Sequence, residues 1–182
     1  MKNIDVGMIR PHMHAIPVHE LPPGYAFRPF TSGDTETWVR VQAEANAGLL
    51  PIDMETFRND FGEHEDLLTE RSWFVTGPDQ TEVASITAWW RDTSEGQQGL
   101  IHWVAVLPQC QGKGIGKAIM TRAMDWLAQE YDSAYLNTSS PRIAAIKLYL
   151  DFGFVPDMQK DRAEEGWAAV RKVLQHPAFG NA

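Results

Sequence analysis

Hydrophobic and polar residues alternate along some stretches of this chain and recur at helical spacing along others, and the boundaries outline its elements. Residues 25–30 alternate as a first strand. Thr31-Ser32-Gly33-Asp34 then supplies helix-start chemistry, and Trp38, Val41, Gln42 and Ala45 follow at helical spacing as far as Gly48. A second short helix starts at Asp53 with an acidic first turn. Residues 72–76 and 82–90 form a hairpin around Gly77-Pro78-Asp79-Gln80; residues 92–98 follow as a polar turn and 99–107 as a third strand. On that strand, period two places His102, Val104 and Val106 on one face and Ile101, Trp103 and Ala105 on the other. Ile115, Ala118, Ile119, Ala123, Trp126 and Leu127 make the apolar stripe of a long helix, and residues 134–137 a short strand. Ser140-Pro141 predicts a cap and first position for a helix that buries Ala145, Leu148, Tyr149 and Phe152 and stops at Gly153. Residues 154–155 and 167–173 are expected as the last two strands, and residues 4–9 as a candidate added strand. An antiparallel meander passing into strand–helix–strand units is a mixed α/β pattern. The expected organisation is an N-terminal arm over 1–24, one domain over 25–175 and a tail over 176–182.

The chemistry concentrates between the third strand and the long helix, at Gln111-Gly112-Lys113-Gly114-Ile115-Gly116-Lys117. Each glycine costs backbone entropy, so three at alternate positions exceed what a plain turn needs. A helix start leaves its first N–H groups without internal partners and carries partial positive charge, which suits a phosphate. A P-loop is excluded twice: Gln111 stands where its first glycine belongs and Ala118 where its Mg²⁺-binding hydroxyl belongs. The dinucleotide fingerprint fails too, because its third glycine falls on Lys117. The spacing Gln/Arg-x-x-Gly-x-Gly/Ala fits.

The segment from Val104-Ala105-Val106-Leu107-Pro108 through Ala118 resembles the acyl-CoA-binding motif of the GNAT N-acyltransferase superfamily. Ala145-Ile146-Lys147-Leu148-Tyr149-Leu150-Asp151-Phe152-Gly153-Phe154 is similar to that family's A-x-x-L-Y-x-x-x-G-F. The resemblance implies a GNAT fold of class α/β (α+β), a mixed, mostly antiparallel twisted sheet of about seven strands flanked by about four helices. It implies acetyl-CoA, or another acyl-CoA, as cosubstrate, with the acyl group passing to a primary amine by direct attack in a ternary complex. The backbone N–H groups of Gln111, Gly112, Lys113, Gly114, Ile115, Gly116 and Lys117 would then hold the pyrophosphate. The stretch Val104-Ala105-Val106 would pair with the pantetheine arm through the backbone of Val104 and Val106. Lys113, Lys117 and Arg122 are candidates for added phosphate charge, with a solvated role as the alternative.

By the same resemblance Tyr149 would protonate the leaving thiolate, and the Val106 N–H would face the oxyanion. Core packing is the alternative for Tyr149. His102 is the candidate base, since imidazole titrates near neutral pH; a structural histidine is its alternative, and Glu82 and Glu44 are poorer candidates. Arg142 stands where the family often has asparagine, so Asn137 or Ser139 would take over that cofactor contact, or Arg142 would reach the phosphates. A catalytically silent acyl-CoA sensor is the competing reading.

Composition narrows the partners. A net charge of −8 argues against nucleic acid. No window is apolar enough for a membrane span and the first residues lack a secretory pattern, so no membrane partner is expected. The single cysteine, Cys110, leaves no disulfide framework or thiolate cluster and suggests a reducing cytoplasm. His12, His14 and His19 do not have zinc spacing, so no metal is expected. Asp53, Glu55, Glu63, Glu65 and Asp66, with Trp89, Trp90 and Trp103 as aromatic walls, suit an amine acceptor. A small or amino-acid-like amine is expected and a protein acceptor is the alternative. Enzymes of this kind are commonly homodimers.

Overall fold

The structure, a computed structural model, describes residues 2–179; Met1, in the expected arm, and residues 180–182, in the expected tail, lie outside the described residues. Seven strands form one sheet in the order β2-β3-β4-β5-β6-β1-β7. They are β1 (Asp5–Arg10), β2 (Ala26–Pro29), β3 (Ser72–Thr76), β4 (Glu82–Thr93), β5 (Gly96–Val106), β6 (Ala134–Ser139) and β7 (Val155–Asp157). The described helices are α1 (Thr35–Ala45), α2 (Met54–Phe61), α3 (Leu68–Arg71), α4 (Ile115–Glu130), α5 (Ile143–Asp151) and α6 (Ala163–Arg171). The pairs β1–β6, β1–β7, β2–β3 and β3–β4 are antiparallel, whereas β5 and β6 run parallel. The chain divides into two compact groups, and β4 and β5 each run from one into the other.

Among the described residues, one group holds 2–17, Trp90–Leu100 and 127–179. Its centre is β1, which pairs with β6 from Asp5↔Ser139 to Arg10↔Ala134 and with β7 from Gly7↔Asp157 to Ile9↔Val155. The candidate added strand is therefore an inner strand. Where a last strand is expected over 167–173, the chain instead forms α6. Ala163, Gly166, Trp167 and Val170 recur at i, i+3, i+4 and i+7 and are all buried, and acidic Glu164 and Glu165 with basic Arg171 complement the helix dipole. Gly166 lets α6 lie directly against Val6 and Ile4, where a Cβ would meet both side chains.

A second departure concerns the start of α5. Arg142 sits at its N-cap and Ile143 begins it, two residues beyond the expected proline start. Ser140 is occupied elsewhere: its hydroxyl donates to the Lys2 carbonyl at 2.8 Å and accepts the Ile4 N–H at 3.2 Å. The expected stop holds, with Gly153 at φ +77.

The other group holds Val18–Trp89 and Ile101–Trp126. β2, β3 and the first part of β4 form its meander, and Phe30, Trp38, Phe57, Phe61 and Phe74 are fully buried around α1 and α2. α2 begins as expected at Asp53, whose carboxylate accepts the Thr56 N–H at 2.9 Å in a capping box. β4 and β5 reach further than expected, to Thr93 and from Gly96, because their hairpin tip is exposed on both faces and shows no apolar alternation.

Candidate active site

β5 carries the first part of the site, and its backbone is bent there. Trp103 has φ +50, a left-handed conformation that an indole side chain rarely adopts. The kink breaks period two. His102 and Trp103, expected on opposite faces, both approach Asp60 of α2. The Trp103 indole Nε1–H donates to Asp60 Oδ2, and His102 Nε2 lies 3.7 Å from the same oxygen. The displaced Trp103 carbonyl accepts from the buried Gln42 side-chain amide at 2.6 Å, and that amide also donates to Ser85 Oγ at 3.0 Å. Aromatic rings wall the cluster: Phe61 meets His102 at 5.7 Å and Trp89 at 5.2 Å, both edge-on, and Trp38 meets Trp103 at 5.0 Å.

Burial sets the protonation states. It pushes His102 down to about 4, so its imidazole is neutral at physiological pH, and it raises Asp60 above the usual carboxylate range while the indole bond opposes the rise. The two sequence alternatives for the base are committed elsewhere. Glu82 is bound by Arg28 at 2.8 Å and Arg40 at 3.0 Å, and Glu44 accepts from the Gln109 amide at 3.0 Å.

His102 also links stability to pH. As pH falls from the free imidazole value of 6.5 towards 4, the unfolded chain takes up a proton that folded His102 refuses, and stability is lost. Asp60, raised by burial, acts in the opposite sense above its ordinary value of 3.8. His102→Gln is therefore expected to flatten the fall of Tm between those two histidine values relative to the parent, measured by thermal melts across pH.

The glycine loop is the second part. A 3-10 turn at Pro108–Cys110 leads into it and α4 leaves it. Gly112 and Gly114 have φ +75 and +89, and a Cβ on either would meet nothing within 4 Å. Backbone conformation therefore requires both glycines, and the space beside them is open. Lys117 and Ala118 turn their N–H groups back onto the Gly114 carbonyl, so the N–H groups of Ile115 and Gly116 precede the first bonds of the helix. Gln111 Nε2 donates to the Val106 carbonyl at 3.1 Å and fastens the loop to the end of β5. Val104 and Val106 are half-buried and Ala105 is buried. Lys113 and Lys117 are exposed; Lys113 Nζ donates to the Tyr25 hydroxyl at 3.2 Å. Arg122 instead lies over Trp73, 5.2 Å from its ring centre.

The remaining sequence candidates belong to the other compact group. Tyr149 is buried on α5 with its ring 6.3 Å from Phe154, and burial pushes its hydroxyl up to about 12. It stays protonated, so it can give up a proton but does not serve as a base. Arg142 is half-buried, and Asn137 on β6 is exposed and accepts from Lys160 Nζ at 2.6 Å.

Sequence pattern alone does not single out Asp60, Tyr25 or Gln42 as site residues. Asp60 stands three residues after Phe57 and next to Phe61, so its place on the apolar side of α2 was visible in the spacing. Nothing in the sequence tied Tyr25 to Lys113. Among the described residues, no group of three or more His, Cys, Asp or Glu side chains is placed to hold a metal ion.

The family model described as Acetyltransferase (GNAT) family matches residues 36–154. Over 152 residues the chain is 30% identical to the mycothiol acetyltransferase of Renibacterium salmoninarum, covering 78% of this chain and 44% of that protein. The chain thus spans less than half the length of that curated relative. Its fold is similar to that of a GCN5-related N-acetyltransferase from Sphaerobacter thermophilus, with a TM-score of 0.66 at 21% identity over 84% of this chain and 48% of the other. It is also similar to a chain of the NatC complex bound to Gag peptide and CoA, with a TM-score of 0.61 at 20% identity over 72% and 84% of the two chains.

Proposed function

Because this chain belongs to the GNAT acetyltransferase family, we propose that it transfers an acetyl group from acetyl-CoA to a primary amine by direct attack in a ternary complex. The observation that carries this reading is the glycine loop: two left-handed glycines with open space beside them, immediately ahead of a helix N-terminus. In the proposed complex the loop from Gln111 to Lys117 holds the pyrophosphate through the backbone N–H groups from Gly112 to Gly116, since those of Gln111 and Lys117 are bonded to the Pro108 and Gly114 carbonyls, and the Lys113 and Lys117 side chains add charge. The backbone of the Val104-Ala105-Val106 stretch pairs with the pantetheine arm, and Asn137 and Arg142 are the further proposed cofactor contacts.

The amine nitrogen attacks the thioester carbonyl and the C–S bond breaks. The Val106 N–H faces the oxyanion, Tyr149 supplies the proton to the departing thiolate, and neutral His102 takes the amine proton directly or through one water. The curated relative is a mycothiol acetyltransferase, which supports a small-molecule acceptor, while the likeness to a chain of a complex bound to a peptide keeps a protein acceptor as the second class. A cytoplasmic location belongs to the same proposal, supported by the lone, buried Cys110. No described helix is long and apolar enough to cross a membrane.

Saturating acetyl-CoA is expected to raise Tm by several degrees, about 3 kcal/mol of stabilisation at a hundredfold excess over Kd. Free thiol is expected to appear when an amine from a panel of amines, amino acids and peptides is added. Absence of stabilisation by any acyl-CoA would sink the reading. Stabilisation without turnover across the panel would favour the silent sensor.

A further inference from the structure

Trp103 is held in its left-handed conformation from outside the strand. An indole residue at φ +50 is strained by its own backbone, and a free strand would return to extended geometry. Two helices oppose that return, each at a different end of the residue. From α2, Asp60 takes the indole N–H; from α1, the Gln42 amide takes the carbonyl at 2.6 Å. Gln42 is fully buried, so water does not compete for its amide.

The bend falls between the two parts of β5 that acetyl transfer would use. The part after it is fastened independently of Gln42. Gln111 Nε2 donates to the Val106 carbonyl at 3.1 Å, and the Leu107 N–H donates to the Val83 carbonyl at 2.8 Å. The part before it is not. Among the described residues none holds the His102 imidazole by a hydrogen bond: Asp60 Oδ2 is 3.7 Å from Nε2, and Phe61 and Trp103 give ring contacts only. His102 is therefore directed by the backbone that carries it, and that backbone takes its direction from the bend.

We propose that Gln42 is a positioning residue for acetyl transfer: by holding the Trp103 carbonyl it sets where His102 stands relative to the Val104–Val106 backbone, and so the reach of the base to the acceptor amine. This rests on the acetyl-transfer reading and adds to it a residue that touches neither substrate. Because the cofactor stretch has anchors of its own, loss of Gln42 separates turnover from cofactor affinity.

The test replaces Gln42 with a side chain of similar volume that donates nothing. In the full chain, Gln42→Met is expected to lower kcat by about tenfold to a hundredfold, the cost of a displaced proton acceptor, and to leave the Kd for CoA within about threefold by calorimetry. The His102 ring is followed by proton NMR across pH and assigned with His102→Gln. In Gln42→Met it should titrate at least about one unit above the parent's value of about 4, because an imidazole released from the bend regains water. Ser85→Ala removes the other bond of the same amide at 3.0 Å but leaves the Trp103 carbonyl held. It is expected to lower Tm with kcat within about twofold of the parent. Glycine adopts φ +50 without strain, so in a Trp103→Gly background Gln42→Met should cost less than about threefold in kcat. Should Gln42→Met not fold, Gln42→Asn, one methylene short of the carbonyl, should show the same split in smaller measure. An unchanged His102 titration, an unchanged kcat, or a loss of CoA affinity as large as the loss of kcat overturns the proposal. Absence of free thiol from the parent across the amine panel overturns the acetyl-transfer reading instead, and the His102 titration then still decides whether Gln42 places the imidazole.

Discussion

Gly153→Ala is expected to destabilise the fold by about 3–5 kcal/mol, from about 1–2 for a left-handed alanine and the rest for a displaced buried guanidinium. Gly153 has φ +77, and a Cβ there would run into Nη1 of Arg10. That guanidinium cannot step aside cheaply. It is 3% exposed, donates through Nη1 to the Phe152 carbonyl at the end of α5, and donates through Nη2 to the His14 carbonyl at 2.6 Å. Its Nε is already buried without a partner, and burial already lowers its affinity for the proton. For a chain of this size the loss is about 10 °C or more in Tm. Arg10→Met removes the obstacle along with the bonds, so the double variant should lose less than the sum of the two single losses. A Gly153→Ala protein melting within about 2 °C of the parent would show that the arginine has another place to go.

Tyr149→Phe is expected to lower kcat by about a hundredfold, the usual worth of a positioned proton donor. Tm and the stabilisation by acetyl-CoA should be retained, because the ring packs edge-on against Phe154 and phenylalanine preserves that contact. Burial pushes the hydroxyl up to about 12, so no working pH takes its proton away and the variant's loss should persist across the neutral range. An undiminished kcat would return Tyr149 to the core. A chain whose acyl-CoA binding survives with no turnover to lose would be a sensor.

The elements easiest to read in the sequence were those whose local chemistry and burial agree. β3 occupies the expected 72–76, and α2 starts at Asp53 because its cap and its Phe57/Phe61 stripe point the same way. The glycine loop was legible because positive φ restricts residue choice at Gly112 and Gly114. α6 was misread as a strand because its buried set, Ala163, Gly166, Trp167 and Val170, includes a glycine and an alanine that carry little apolar signal. α5 started late because Ser140 is drawn to Lys2 and Ile4, partners more than a hundred residues away in sequence. The candidate site was half visible. His102 stood out by residue type, whereas Asp60 joins it only through the left-handed turn of Trp103, and no period-two pattern encodes such a break.

The amide of Gln42 clamps two elements at once, holding the displaced Trp103 carbonyl of β5 and the Ser85 hydroxyl of β4 from a fully buried place on α1. Asn46 braces the clamp by donating to the Gln42 carbonyl at 2.8 Å. α1 is thereby latched to the sheet through polar bonds that would all have to be broken without water to replace them. Any outward movement of α1 from β4 and β5 breaks both bonds of the Gln42 amide together. The bend of β5 at Trp103 is thus held by a side chain 61 positions earlier in the chain, so a change at Gln42 would be felt on β5.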